Sequence, residues 1–274
     1  MFVVIVDNDP DGTARTTVER AAESAPFELV YQVEPERGIS AARNTAVRLG
    51  LDAGADAIVF IDDDEWPDAE WLAEFVATQH ATSADVVTGP VLPVFDDPAP
   101  TWVLAGGFFD RPRYPHNSTI SYATTSSVLM MRSCFDGRDV PFDPEFGLSG
   151  GEDTHLFAVL VDAGFTIAWS DRAIVYEAIP SSRVDPSWLI RREYRRGQTR
   201  SRSLRRRNPT PQRLFQRIVR GVLDVFAGCA GAIIGTLGAK HRRVLGAKRA
   251  AFGAGMLTGL LDRRYDEYRT IHGR

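Results

Sequence analysis

The first 80 residues alternate between short apolar runs and helical segments, and this alternation limits the folds open to the chain. The apolar runs are five to seven residues long and rich in β-branched side chains, which is typical of strands buried on both faces. Strands that alternate with helices predict a layered α/β domain with a largely parallel sheet. We predict strands at 2–6, 27–33 and 57–61, and helices at 13–24, 39–51 and 68–80.

The pattern becomes less regular after residue 80. A loop rich in Pro and Gly covers residues 95–118, and a loop of this length inside a compact domain is usually functional. Gly150 and Gly151 stand before a further helix. The remaining predicted elements of this region are strands at 85–94, 122–131, 165–170 and 173–177 and a helix at 152–163.

Charge is distributed unequally along the chain. Residues 1–180 contain 10 Arg, no Lys and 30 Asp and Glu, a net charge of −20, whereas residues 181–274 contain 22 Lys and Arg and 6 acids, a net charge of +16. Such asymmetry indicates regions that meet different partners. We therefore expect an α/β domain over 1–180, a basic helical connector over 181–212 and a glycine-rich helical hairpin over 213–274.

Two features bear on the compartment. Cys134 and Cys229 lie far apart in unlike surroundings, so we expect no disulfide framework and a reducing environment. The apolar run at residues 1–6 ends at Asp7, which is too early for a signal peptide. We therefore expect the body of the protein in the cytoplasm.

An acidic cluster, Asp62-Asp63-Asp64-Glu65, directly follows the predicted strand at 57–61. Ligands of open α/β sheets bind beyond the carboxyl ends of the strands, and clustered carboxylates there favour a hard cation such as Mg²⁺ or Mn²⁺. A solvated acidic loop before a helix is the alternative, because the helix dipole stabilises acids at that position.

A second acidic segment, Asp7, Asp9, Asp11 and Gly12, resembles the start of a calcium-binding loop. That loop requires Glu at its twelfth position and a helix before it, whereas this chain has Val18 and a strand, which argues against calcium. Asp7 remains a candidate to hydrogen-bond a ribose or a base, with turn formation as the alternative.

Four short motifs occur in order along the chain: VIVDN at 4–8, ERGISAARN at 36–44, FIDDDE at 60–65 and GGED at 150–153. Together they resemble the inverting glycosyltransferase family 2 over roughly residues 1–200. The resemblance implies an α/β GT-A fold, a Rossmann-like nucleotide-diphospho-sugar transferase domain. The basic, glycine-rich tail is similar to that of members that build succinoglycan-type exopolysaccharides.

The resemblance also implies roles for individual residues. Asp62 and Asp64 match the DxD motif that holds Mg²⁺ or Mn²⁺, and Asp153 matches the catalytic base. The residues implied to bind the donor nucleotide are Asp7, Arg37, Arg43, Asn44, Asp62 and Asp63. Apart from the resemblance, Glu152, Tyr114 and His116 are candidates for the acceptor side.

Chemistry supports these assignments. A divalent ion neutralises the leaving diphosphate, and a carboxylate removes the proton of the attacking hydroxyl. For Glu152 and Asp153, simple helix capping is the alternative. We expect the loop over 106–118, with Phe108, Phe109, Tyr114 and His116, to cover the acceptor, and we expect Trp66, Trp71 and Trp169 in the core.

This chain departs from the family at its start. Members usually begin with one more strand and helix, and that strand helps to hold the nucleobase. We therefore expect an exposed sheet edge. A misassigned start, a naturally shortened enzyme and a non-catalytic partner of a working enzyme are all compatible with this feature.

The tail combines arginines at 191–207 with apolar stretches at 221–238 and 250–261, separated by basic residues 240–249. Clustered Arg also suits nucleic acid, but the adjoining apolar stretches favour the inner leaflet of a membrane. Gly pairs at 231 and 235 and at 255 and 259 allow close helix packing. Both stretches are short for a span, so we predict a hairpin that lies in or dips into the leaflet; a soluble hairpin packed on the domain is the alternative.

The sequence thus predicts a hexosyltransferase that uses a nucleotide-sugar, expected to be a UDP-sugar with GDP and dTDP donors still open. The acceptor is expected to be a glycan or a lipid-linked glycan at the cytoplasmic face of the membrane. A nucleotidyltransferase would share the acidic metal site, but the glycine-rich basic loop that it normally needs after the first strand is not visible in the sequence.

Overall fold

The computed structural model describes residues 1–261, so the end of the predicted hairpin over 213–274 lies outside the described residues. The α/β part contains strands and helices in the order β1 Phe2–Asp7, α1 Arg15–Ala22, β2 Glu28–Val33, α2 Ile39–Asp52, β3 Ala57–Ile61, β4 Glu65–Pro67, α3 Trp71–Thr82, β5 Val86–Thr88, β6 Val91–Phe95, α4 Thr101–Gly106, β7 Thr119–Ile120, β8 Ser127–Met131, α5 Glu152–Asp162, β9 Ile167–Trp169 and β10 Val175–Ile179. The tail contains α6 Pro186–Arg206, α7 Pro211–Gly235 and α8 Lys240–Gly259.

The largest sheet has the strand order β3-β8-β5-β9-β7 and is mixed. Within it β5 and β9 are parallel, whereas β8 runs antiparallel to both β3 and β5. The prediction of a largely parallel sheet is therefore wrong. β8 enters the sheet after the long segment between β6 and β8, not through a βα crossover. A buried apolar run has the same sequence pattern in a parallel and in an antiparallel strand, so the sequence did not reveal the direction of β8.

Two cores lie on opposite faces of this sheet, because successive side chains of a strand point to opposite sides. Val128 and Met130 of β8 pack into one core, with helices α2 and α5 above them. Leu129 packs into the other, against Trp71 and Phe75 of α3. The alternating pattern predicts a layered α/β domain, and the structure has helices on both faces of the sheet.

The segment predicted as one strand over 85–94 forms two strands in different sheets. β5 belongs to the large sheet, whereas β6 lies in a three-stranded sheet with the order β4-β10-β6. Between them, Gly89 passes so close to the carbonyl oxygens of Ala173 and Ser170 that a Cβ atom would overlap them. A glycine followed by a proline at this point allows the chain to cross from one sheet to the other.

The first two strands form a separate parallel pair. Within residues 1–261, β1 pairs with β2 alone and β3 pairs with β8 alone. Helix α2 spans this seam, since it packs on β1 and brings Gly50 against Ile58 of β3. The expected exposed sheet edge is therefore found at these two strands.

Helices α6, α7 and α8 pack closely on one another. Gly255 and Gly259 of α8 lie against the backbone of α6 at Tyr194 and Gln198, and Gly228 of α7 lies against Ala250 of α8. Basic residues 240–249, expected to separate two stretches, form the first half of α8. Among the described helices, α7 is the one long and apolar enough to cross a membrane by length and composition.

The basic helix α6 is also attached to the acidic domain. Arg202 donates to Ser149 Oγ at 2.6 Å and to the Glu145 carbonyl at 2.9 Å. Arg206 pairs with Asp143 at 2.8 Å, and Arg207 pairs with Asp162 of α5. These arginines hold the segment that leads into α5, so part of the tail's positive charge is used inside the protein.

Candidate active site

The acidic turn after β3 is fixed by the neighbouring strand β10. β4 pairs antiparallel with β10, and the amide of Ala178 donates to the carbonyl oxygen of Asp64 at 3.1 Å. The side chains of Asp62 and Asp64 are each 39% exposed, and Asp63 is exposed. The turn therefore presents three carboxylates at the carboxyl end of β3.

Arg43 connects this turn to the first turn of α5. Its guanidinium donates to Asp62 Oδ1 at 2.8 Å and pairs with Glu152, and its side chain is 11% exposed. Residues from three of the four sequence motifs thus meet at one guanidinium. Asp153 lies close enough for its charge to act on Asp62, whose pKa is raised by burial and by Asp153 and Asp64, although Arg43 lowers it.

Glu152 lies behind this cluster. It is 2% exposed, and its Oε2 atom has no hydrogen-bond partner among the described residues. Burial raises the pKa of Glu152 to about 7, although Arg43 opposes the shift. Asp153, the next residue, is half-buried, and its Oδ1 accepts from the amide of Thr154 at 2.5 Å. Glu152 therefore holds Arg43, whereas Asp153 is the more open carboxylate.

Glu65 ends the acidic turn, and the pKa of its carboxyl is strongly raised. Burial raises its pKa to about 9, and the nearby charges of Asp62 and Glu177 act in the same direction. In the antiparallel pairing of β4 with β10, Glu65 stands directly opposite Glu177. Glu65 therefore keeps its proton at neutral pH, which lowers the negative charge of the turn.

A second set of ion pairs on the far side of the turn was not predicted. Glu177 of β10 accepts from Arg111 at 2.5 Å and from Arg183 at 3.3 Å. Arg183 also donates to Asp64 at 2.9 Å. These three residues belong to none of the four motifs; the one signal in the sequence was the position of Arg111 inside the long loop.

The residues present suit a divalent ion that arrives with a phosphate ligand. Within residues 1–261, no group of three or more His, Cys, Asp or Glu is arranged to hold a metal ion, and Asp62 and Asp64 face Arg43 and Arg183. Mg²⁺ typically takes one or two protein carboxylates and completes its shell with water and substrate phosphates. Two half-buried carboxylates at one turn are such a donor set.

Two residues predicted to bind the nucleotide make structural hydrogen bonds. Burial acts to raise the pKa of Asp7, but hydrogen bonds from the Tyr31 hydroxyl at 2.6 Å and from the Asp9 and Ala14 amides leave it lowered. Asn44 exchanges two hydrogen bonds with the backbone of Phe142, at 2.8 and 2.9 Å. Arg37 is exposed. These contacts do not bring Asp7 or Asn44 into the Arg43 cluster.

The loop predicted to cover the acceptor is partly core. Phe108 and Phe109 are 6% and 7% exposed and pack in a cluster with Ile179 and Leu189, so this half of the loop is not a lid. Tyr114 contacts the rings of Tyr122 and Trp169. His116 is half-buried, and its Nδ1 has no hydrogen-bond partner among the described residues.

Of the three tryptophans predicted to lie in the core, two are buried and one is exposed. Trp71 and Trp169 are 6% and 3% exposed, which confirms the core prediction for both. Trp66 is 44% exposed and stacks on Tyr176, with ring centroids 5.9 Å apart. The core prediction is therefore wrong for Trp66, because Trp66 lies in β4, five residues past the end of β3, and is exposed beside Glu65.

Comparisons with known proteins agree with the motif pattern. The family model for glycosyl transferase family 2 matches residues 2–137. The chain is 33% identical over 259 residues to the succinoglycan biosynthesis protein ExoM of Rhizobium meliloti (strain 1021), covering 94% of this chain and 82% of that protein. A crystal structure of S. aureus TarS 1-349 in complex with UDP is 17% identical with a TM-score of 0.48, over 95% of this chain and 81% of that chain.

Proposed function

This chain belongs to glycosyl transferase family 2 and is a glycosyltransferase with the family's GT-A fold, and from that premise we propose an inverting hexosyl transfer in cell-surface polysaccharide synthesis. The donor is a nucleoside-diphosphate sugar, for which we propose UDP as the nucleotide. The acceptor is a hydroxyl group of a glycan or of a lipid-linked glycan. The observation that carries this proposal is that Arg43 joins Asp62 to Glu152, the neighbour of Asp153, and that the charges of Asp153 and Asp64 both act on Asp62.

Asp153 is the proposed general base. It lies in the first turn of α5, where the helix dipole favours the charged carboxylate. Glu152 beside it is buried against Arg43, so the two acids of the pair have different tasks. A positioned base of this kind contributes roughly 10²–10⁴-fold to the rate.

Asp62 and Asp64 are the proposed ligands of Mg²⁺ or Mn²⁺. The ion would neutralise the charge that develops on the leaving diphosphate. In the free protein Arg43 and Arg183 pair with these two carboxylates, so ion binding has to compete with two guanidiniums. We therefore expect the ion to bind tightly only together with the donor.

We propose that the protein works at the cytoplasmic face of the membrane, with α7 lying along the inner leaflet. One face of α7 packs on α8 through Gly221, Gly228 and Gly235. The opposite face is open and apolar, with exposed Phe215, Ile218, Val219, Val222, Leu223, Phe226, Ile233 and Ile234. We call these eight residues the α7 stripe. An apolar stripe on a helix whose other face is packed on protein favours an in-plane position over a span.

The name of the relative from Rhizobium meliloti supports a role in polysaccharide synthesis. The protein of Rhizobium meliloti is named for succinoglycan biosynthesis, and the likeness extends over nearly the whole chain. A likeness over this length includes the helical tail as well as the α/β domain. We therefore propose an acceptor of the same class, a growing surface polysaccharide.

The test is release of nucleoside diphosphate by the purified full chain, measured over a panel of nucleotide-sugars and over added Mg²⁺ or Mn²⁺. We expect Asp153→Asn to lower acceptor-dependent release by about 10²–10⁴-fold. Asp139→Asn, a change at an exposed acid outside the site, is the matched control and should retain activity. Full activity of Asp153→Asn would show that another group is the base.

A second candidate function is that of a non-catalytic partner of a working glycosyltransferase. The observation that favours it is the seam between β1 and β3, since an interrupted sheet weakens the base-binding side of the cleft. Calorimetry with UDP and Mn²⁺ separates the two functions. Binding together with turnover supports the enzyme, whereas no heat of binding for any nucleotide supports the partner role.

A further inference from the structure

We propose that a basic pocket between α6, α7 and α8 binds a phosphate-bearing anion at a place separate from the donor site. We call it the arginine pocket. Its volume is about 530 Å³. It is lined by five arginines, Arg200, Arg207, Arg213, Arg217 and Arg220, together with Asp162, Gln216, Leu204, Phe252 and Met256.

The arginines outnumber the acids that face them. Asp162 is the one carboxylate in the lining, and it pairs with Arg207. The guanidinium groups of Arg200 and Arg217 contact uncharged side chains. The Arg200 guanidinium lies 6.0 Å from the Phe252 ring centre, and Arg217 contacts Met256 Sδ at 3.6 Å.

In a neighbouring pocket of about 360 Å³ between the same helices, each acidic side chain is paired with basic ones. There Glu193 pairs with Arg196 and Lys248, and Asp224 pairs with Arg220 and Arg249. Each acid of that pocket bridges two cations. In the arginine pocket Arg220 shares Asp224 and Arg207 has Asp162, whereas Arg200, Arg213 and Arg217 form no ion pair within the described residues, so an external anion would supply the missing charge.

Guanidinium groups brought together without anions repel one another. Burial lowers the pKa of Arg217, and the neighbouring charges of Arg200 and Arg207 act in the same direction. The pocket remains open, because Arg200 and Arg213 are exposed and Arg217 is half-buried. Several arginines converging from different helices suit phosphate oxygens, which accept paired N–H bonds.

The arginine pocket is distinct from the catalytic cleft. Asp162 is the last residue of α5, whereas Asp153 is the second. Asp162 lies nine positions after Asp153, a distance of about 14 Å at the usual rise of a helix. The anion is therefore not the diphosphate of the donor.

Two sources of the anion share this chemistry: a soluble phosphate compound and the headgroup of an anionic lipid. The helix α7 bears both Arg213 and Arg217 of the pocket and the α7 stripe. The pocket lies between α7 and its neighbours α6 and α8, whereas the α7 stripe covers the opposite face of α7, so the structure leaves both sources to the test. The experiment below separates the two sources.

Binding is measured on the full chain in EDTA at constant ionic strength, which removes the divalent ion that the donor site would use. The probes are inorganic phosphate, by calorimetry, and phosphatidylcholine vesicles with or without phosphatidylglycerol, by co-sedimentation. The pocket variant is Arg213→Gln with Arg217→Gln. The control is Arg242→Gln with Arg243→Gln, which removes the same charge from exposed positions at the start of α8.

We expect the pocket variant to bind at least one probe about tenfold or more weakly, and the control to bind as the unchanged protein does. Loss of phosphate binding identifies a soluble ligand, and a loss confined to phosphatidylglycerol vesicles identifies a headgroup. The proposal is overturned if the unchanged protein binds neither probe, or if both variants weaken binding equally. Melting curves of the variants show whether they are folded, and nucleoside diphosphate release reports separately on the donor site.

Discussion

At the scale of single residues, Arg43 is the centre of the site. The motif pattern assigned it to the nucleotide pocket, and the structure shows that it also joins β3 to α5 through Asp62 and Glu152. A buried arginine between two acids is destabilising to remove, because the remaining charges lose their partner. The same residue therefore contributes to the cleft and to the fold.

We predict that Arg43→Leu lowers the free energy of unfolding by about 3 kcal/mol, since it leaves the buried Glu152 carboxyl without a cation. Urea unfolding of the purified chain measures this. Arg48→Leu is the control, because Arg48 lies on the same helix and its side chain is 58% exposed in its pair with Asp52. Its removal should cost less than about 1 kcal/mol. Equal losses for the two variants would contradict the proposed role of Arg43.

Glu65 makes stability depend on pH. Its pKa in the folded protein, raised to about 9, lies above the ordinary glutamate value of 4.5, so the folded state binds more protons between these values. Stability from this group is therefore complete at low pH and is lost as the pH rises through that window. Glu65→Gln removes the titrating proton. We predict that the melting temperature of Glu65→Gln, relative to the unchanged protein, rises steadily from pH 5 to pH 8.5.

The control for this prediction is Glu70→Gln, which changes an exposed acid just before α3. Its melting temperature should follow that of the unchanged protein across the same range. If the curve for Glu65→Gln also ran parallel to the unchanged protein, Glu65 would not be holding a proton in the fold.

The sequence predicted the acidic turn and the α5 acids because each lies beside a recognisable strand end or helix start. It did not predict Glu177, Arg111 or Arg183. Their partners are separated from them by up to 119 residues, as for Arg183 and Asp64, and no local pattern encodes that distance. Asn44 and Asp7 lie in recognisable motifs, but the structure shows that both make hydrogen bonds that stabilise the fold.

At the scale of elements, the glycines of α8 determine how the tail packs. Their regular spacing predicted a close helix contact, and the structure places that contact against α6 and α7 within the protein. A Cβ atom at Gly255 would overlap the carbonyl oxygen of Tyr194, so any larger residue must push α6 and α8 apart. Small residues at such a crossing let backbones approach closely.

We predict that Gly255→Ala lowers the free energy of unfolding of the tail by about 1–3 kcal/mol through overpacking. Gly231→Ala is the control, because a Cβ atom there would lie 3.5 Å from Gly246 Cα, an ordinary contact. That change should be neutral or stabilise the helix by up to about 1 kcal/mol. Thermal and urea unfolding of both variants measure the difference; a neutral Gly255→Ala would mean that the α6–α8 contact is loose.

The sequence predicted which segments are helices and strands better than it predicted the direction of the strands. The strand at Ala57–Ile61 and the start of α2 at Ile39 match the prediction. The antiparallel β8 and the division of 85–94 into β5 and β6 were missed, because both depend on contacts with distant strands. The helix α4 was missed because its Pro- and Gly-rich surroundings are typical of loops.

At the scale of the whole molecule, the tail has two chemically different sides. The helices α6 and α8 face the acidic domain and each other, whereas the α7 stripe faces outward. Asp224, the one acid within α7, is 3% exposed and paired with Arg220 and Arg249, so it does not interrupt the stripe. This division supports a surface position at the membrane.

We predict that Phe226→Ser with Ile234→Ser reduces co-sedimentation with vesicles by about tenfold or more, because the two exposed side chains, at 72% and 70%, lose their apolar contact with lipid. The control is Leu104→Ser on α4, which removes a side chain 62% exposed outside the stripe. Sedimentation of the purified proteins with anionic vesicles measures the effect. Unchanged sedimentation of the double variant would indicate that the stripe does not meet lipid.

The interruption between β1 and β3 has a consequence for how the protein behaves in concentrated solution. Ala57–Ile61 bears no charged side chain, and Phe2–Asp7 has one only at its last residue. Natural proteins usually protect such rows of free amides and carbonyls with lysines, prolines or covering elements. Within the described part of the chain, the facing edges of β1 and β3 therefore offer unpaired backbone amides and carbonyls. An extended segment of another chain that entered between them could form hydrogen bonds with both strands.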